Sequence, residues 1–116
     1  MTTQRIVSPL SDPAWAELMP ELPTPRGGLG AVVAGKRLIT IGGESPTTVY
    51  GTVEVLNLAT NTWTTLPDMK SPRHGLAVLA VGNTVYTVDG AAAPGHTGSV
   101  RTNEAFDLCG PSGCPD

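Results

Sequence analysis

Arg26 follows Pro25, and 47 residues later Arg73 follows Pro72. A guanidinium is a planar fork of five donors that suits carboxylates and phosphates, so the two arginines could grip an anionic ligand. Because each belongs to a recurring run of residues, a bracing role on loop carbonyls is the favoured alternative. His74 and His96 are the only histidines, and Cys109 and Cys114 the only cysteines. These are metal-ligand types, but no HxxxH or CxxC spacing gathers them, so neither a metal nor another cofactor is expected. The cysteines enclose Gly-Pro-Ser-Gly, flexible enough for a small disulfide. In an oxidising compartment they would bridge, and in a reducing one they would be thiols. Gly27-Gly28-Leu29-Gly30 follows no strand and opens no helix, so it is no phosphate cradle. No nucleophile–base pair or carboxylate dyad stands out, and catalysis is the less favoured class.

What positions these residues is an internal repeat. Laid over Pro72–Gly90, Pro25–Gly43 repeats its Pro, its Arg, Gly28 as Gly75, Leu29 as Leu76, Gly35 as Gly82, Thr40 as Thr87 and Gly43 as Gly90. Glu54 and Leu58 return as Glu104 and Leu108, now 50 residues on. A period near 47, built of short apolar runs, indicates a repeat architecture in the β-propeller range. Within the unit, Leu29–Ala34 reads as a strand, Gly35-Lys36 as a tight turn and Arg37–Ile41 as a second strand. Gly42-Gly43 ends it. Val53–Leu56 is a third strand, turned by Ala59-Thr60-Asn61 into a fourth at Thr62–Leu66. Four antiparallel strands make one propeller blade. The second copy predicts strands at Gly75–Val81, Thr84–Val88 and Glu104–Leu108.

The order Pro-Arg, apolar strand, Gly turn, LITIGG and VEVLNLATNTW resembles the Kelch repeat. Gly42-Gly43 fits its double glycine, and Trp63 its tryptophan at the start of the fourth strand. Asp89-Gly90 replaces the double glycine in the second copy. The aromatic expected near the end of the third strand is Leu56 in the first copy and Phe106 in the second. The resemblance implies an all-β fold of Kelch-type blades, about two in number, forming a partial propeller. It divides the chain into a lead (1–13), a repeat region (14–108) and a tail (109–116). Within the repeat region, residues 14–18 form an orphan outer strand, 24–66 a whole blade and 72–108 a blade lacking its last strand. Trp15 and Leu18 copy the spacing of Trp63 and Leu66, which is why the orphan reads as a fourth strand. Both tryptophans could stack on sugars, but their place in the repeat favours blade packing.

In such a fold the links before the first strand and between the second and third share one rim, and binding residues concentrate on such loops. The candidate ligand-binding residues there are Arg26, Glu44, Tyr50, Arg73, His74, His96 and Arg101. The resemblance implies a binding module for a protein or peptide ligand, or a glycan. The alternatives are part of a sugar-processing enzyme, such as a copper-radical sugar oxidase or a sialic-acid mutarotase, and a truncated repeat with no function of its own. Two blades cannot close a ring. The missing blades are expected from a longer chain or from a homo-oligomer.

The net charge of −3 and the scattered basic residues carry no footprint for nucleic acid. No apolar run reaches the 18 residues that a membrane span needs. Met1-Thr-Thr-Gln-Arg is followed by no apolar leader. A cytoplasmic location is expected if the chain is complete, and a secreted one remains open if it is a piece.

Overall fold

The computed structural model describes residues 19–109. The described residues form seven strands and no helix: β1 (Gly30–Ala34), β2 (Arg37–Ile41), β3 (Val53–Asn57), β4 (Thr62–Leu66), β5 (Ala77–Val81), β6 (Thr84–Val88) and β7 (Asn103–Asp107). They build two antiparallel sheets, β1-β2-β3-β4 and β5-β6-β7, each in sequence order. The orphan strand expected at 14–18 and the tail from residue 110 lie outside the described residues.

Local chemistry accounts for the turns. Gly35 and Gly82 adopt φ of 61° and 59° as the first residue of each two-residue hairpin, the position where a type II′ turn demands positive φ. The β3–β4 turn ends on Asn61 at φ 58°. The Asn57 side-chain oxygen accepts from the amides of Ala59 and Thr60 in that turn. Strand bounds fall within two residues of those expected. The largest shift is at β5, which begins at Ala77 rather than Gly75: Gly75 sits at φ 64° and donates its amide to the Gly28 carbonyl.

Period-two alternation decides which side chains meet between the sheets. In β1–β4 the rows Val32/Ile39/Val55 and Ile41/Val53/Leu66 share one face. Blade two lays Leu76, Val78, Ala80, Val85, Phe106 and Leu108 against it. Ile39, Ile41 and Val85 are fully buried, and burial of such a side chain stabilises by about 1.5–3 kcal/mol. The innermost strands, β1 and β5, touch directly. Gly30 allows that approach: a Cβ there would fall 2.2 Å from Val78 Cγ2.

Gly42-Gly43 after β2 and Asp89-Gly90 after β6 also serve packing between links. Gly42 and Gly43 take φ of 72° and 119°, and Asp89 and Gly90 repeat the conformation at 57° and 101°. Aspartate tolerates the left-handed region better than most residues, so the second copy keeps the geometry with one glycine. The amide of Gly43 donates to the Arg73 carbonyl at 2.9 Å. A Cβ on Gly42 would stand 2.4 Å from that same oxygen.

Candidate functional site

Each arginine lies folded inside its own blade. Arg26 donates Nε to the Thr24 carbonyl, Nη1 to the carbonyls of Gly42 and Thr52, and Nη2 to Thr40 Oγ1 and Glu54 Oε1. Arg73 repeats this with the carbonyls of Ser71, Asp89 and Thr102, with Thr87 Oγ1 and with Glu104 Oε1. Both arginine side chains are 0% exposed. The first reading, forked donors for a ligand, is therefore corrected. Every guanidinium nitrogen is already committed, and the bracing alternative describes both residues. Each bracket ties the link before the inner strand to the middle strands of the blade.

The carboxylates that complete the brackets were not among the expected site residues. Their signal was present, since Glu54 and Glu104 recur with the repeat. Glu54 also accepts from Thr24 Oγ1. Glu104 also accepts from the amides of Lys70 and Ser71, which fixes the link from β4 to β5.

The rim expected from the loops has a definite geometry. Short bridges join Gly27 to Glu44 and Glu44 to Val49 in blade one, and His74 to Ala91 and Ala91 to Ser99 in blade two. Between the blades, His74 Nδ1 lies 3.1 Å from Glu44 Oε2. The other ring nitrogen, Nε2, is 2.7 Å from the Ala93 carbonyl. Both nitrogens face acceptors, and the protonated ring is the form that can donate to both. Glu44 Oε1 accepts from the amide of Gly95, so one carboxylate holds the ring and the tip of the long loop together.

Two shallow depressions flank Gly95. One is lined by Gly27, Glu44, Ser45, Pro46 and Pro94, and the other includes His74, Asp89, His96, Ser99 and Val100. Of the expected residues, Glu44, His74 and His96 come together here, with His74 largely buried and His96 exposed. Tyr50 is half-buried and Arg101 exposed, and neither lines these depressions. Pro46, Pro94 and Gly95 were not expected. Nothing in their types distinguishes them from ordinary loop residues until the loops meet.

Among the described residues, no group of three or more His, Cys, Asp or Glu could hold a metal ion. Cys109 is disulfide-bonded, and Cys114, the expected partner, lies outside the described residues. Trp63 is half-buried and directly opposite Leu56. Its indole Nε1 donates to the Pro20 carbonyl.

A four-stranded antiparallel sheet, its repeat packed against it inner strand to inner strand, and a shared loop rim define blades of a β-propeller. Residues 25–70 match the Kelch motif. This match, over less than half of the chain, supports a Kelch-repeat protein with a partial set of all-β blades, one whole and three strands of a second among the described residues. No curated protein matches the chain.

Proposed function

We propose that this Kelch-repeat module binds a protein segment at the rim around Gly95. The observation that carries the reading is the Glu44–His74–Gly95 junction. It holds two loops from different blades in one arrangement, with a depression on either side. A rim held in advance loses less conformational entropy when a ligand is ordered on it. An extended peptide laid across Gly95 would reach Pro46 and Pro94 on one side, and His96 and Val100 on the other. Tyr50 and Arg101 stand on the same loops and extend the candidate surface beyond the depressions.

The test is selection from a displayed random peptide library against the whole chain. Binding of the selected peptides is then measured on loop variants. His96→Ala, Arg101→Ala and Tyr50→Ala are expected to weaken binding. Lys36→Ala and Asn83→Ala, in the hairpin turns at the opposite end of the blades, are expected to leave it unchanged. The reverse pattern would place the ligand on the wrong rim and overturn the proposal.

A further inference from the structure

The two blades build the same rim bridge from different residues. In blade one Gly27 and Glu44 exchange backbone hydrogen bonds, and in blade two His74 and Ala91 do so. Gly27 and His74 are equivalent positions of the repeat, as are Glu44 and Ala91. The bridge therefore forms with no side chain at its first position, and the imidazole of His74 is not needed for it. The ring reaches instead to Glu44 of blade one on one side and to the Ala93 carbonyl on the other.

The loop it touches joins β6 to β7. Backbone bonds close its base, from Ala92 to Gly98 and from Val100 to Gly90. Beyond that base, two hydrogen bonds among the described residues tie the tip, 93–97, to the rest of the protein. One joins His74 Nε2 to the Ala93 carbonyl at 2.7 Å, and the other runs from the Gly95 amide to Glu44 Oε1 at 2.9 Å. A carbonyl and an ionised carboxylate only accept, so the ring must donate from both nitrogens, and only imidazolium carries two N–H groups. A neutral ring has one. If it donates to Ala93, a lone pair faces Glu44, and if it donates to Glu44, a lone pair faces Ala93. Either way one tether of the tip is opposed. Gly28, from the link before β1, lies over the ring without a side chain. Asp89 and His96 line the depression beside the ring and are exposed. Arg73, next in sequence, has its guanidinium committed to Glu104 and oxygens of blade two.

From this geometry we infer that His74 is a protonation latch. Charged, it pins the tip of the loop to Glu44 and blade one; neutral, it releases the tip. Imidazole changes charge between about pH 5 and 8, a range in which glutamate is ordinarily ionised. Both bonds need the protonated ring, so the pinned state holds on the acid side and is lost as pH rises. The latch is a property of the loop and stands whether or not a peptide binds the rim.

Backbone 15N relaxation and the ring 15N shifts of His74, followed on the whole chain across that pH range, test it. Order parameters at Ala93, Gly95, His96 and Thr97 are expected to fall from about 0.85 at the acid end to below about 0.6 at the alkaline end. The fall should track the His74 ring, with β2 and β6 unchanged. His74→Gln should abolish the response, and His96→Ala should keep it. Glu44→Gln should reverse it. A side-chain amide can donate to the bare Nδ1 of a neutral ring while its oxygen accepts from Gly95, but it has no second oxygen for a charged ring. That reversal decides the matter even if His74→Gln fails to fold. Loop order that does not follow the ring overturns the inference. So does a response that survives His74→Gln, vanishes in His96→Ala or keeps its sign in Glu44→Gln.

Discussion

His74 and Glu44 meet across the two blades, Nδ1 to Oε2 at 3.1 Å, although each stands on a different copy of the repeat. The side chains are 10% and 27% exposed, so solvent screens the pair only in part. Glu44→Ala removes the acceptor for both the imidazole and the Gly95 amide. A cost of about 1–2 kcal/mol is expected, with faster amide exchange confined to residues 91–100. Uniform acceleration across both sheets would show instead that the pair supports the whole fold.

The arginine brackets predict a larger and chemically selective loss. Arg73→Ala leaves Glu104 without its guanidinium and three oxygens of the blade without a donor. About 3–5 kcal/mol of destabilisation is expected, the range for breaking a buried ion pair. Arg73→Lys keeps the charge but lacks the fork, and should still cost about 1–3 kcal/mol. Urea unfolding measures both. A lysine variant as stable as the parent would show that charge alone holds the bracket.

Two glycines with similar φ should behave differently. Gly35 at 61° has no heavy atom within 4 Å of an added Cβ, so Gly35→Ala should cost only the left-handed backbone penalty of about 1–2 kcal/mol. Gly42 at 72° would place that Cβ 2.4 Å from the Arg73 carbonyl, which the Gly43 amide holds in place. Gly42→Ala should cost about 3 kcal/mol or more, strain and overpacking together. Equal urea midpoints for the two variants would contradict the close approach.

The outer edge of β7 yields a fourth prediction. Beside it runs an apolar groove lined by Leu66, Pro67, Met69, Phe106 and Leu108, where a fourth strand would lie. In blade one, Trp63 pairs with Leu56 and Leu66 with Val53. The same register would set Trp15 opposite Phe106 and Leu18 opposite Asn103. Trp63 alternates with Leu66, which lines the groove, and so points away from blade two. Its bond to Pro20 carries the front of the chain to that far side. We propose that the fourth strand expected from residues 14–18 pairs with a free β7 edge. Deleting residues 1–18 should leave β7 as an open edge and promote aggregation, seen as a rise in light scattering. Scattering unchanged by the deletion would mean the segment pairs with no edge.

Much of the blade was legible before any coordinates, for local reasons. Strands β2, β4 and β6 follow from β-branched runs bounded by Gly or Asn, and the hairpins from Gly35 and Gly82 at positions that require positive φ. These signals lie within a few residues of what they specify. The disagreements at Gly75 and Asn103 arise where a contact from the other blade, or the end of a long loop, sets where pairing begins.

The sequence by itself determined the repeat, the all-β blades and the rim on which Glu44, His74 and His96 would stand. Tertiary structure alone decided what those side chains face. The repeat favoured a bracing role for Arg26 and Arg73, but only the folded strands of each blade bring Glu54 and Glu104 to them, about thirty residues away along the chain. Leu79, Val81 and Tyr86 are apolar strand residues, yet they are exposed, because burial depends on whether a sheet is packed on that face. A residue's type and spacing set its strand and its face. Its partner is set by packing between segments distant in sequence, and no local pattern encodes that distance.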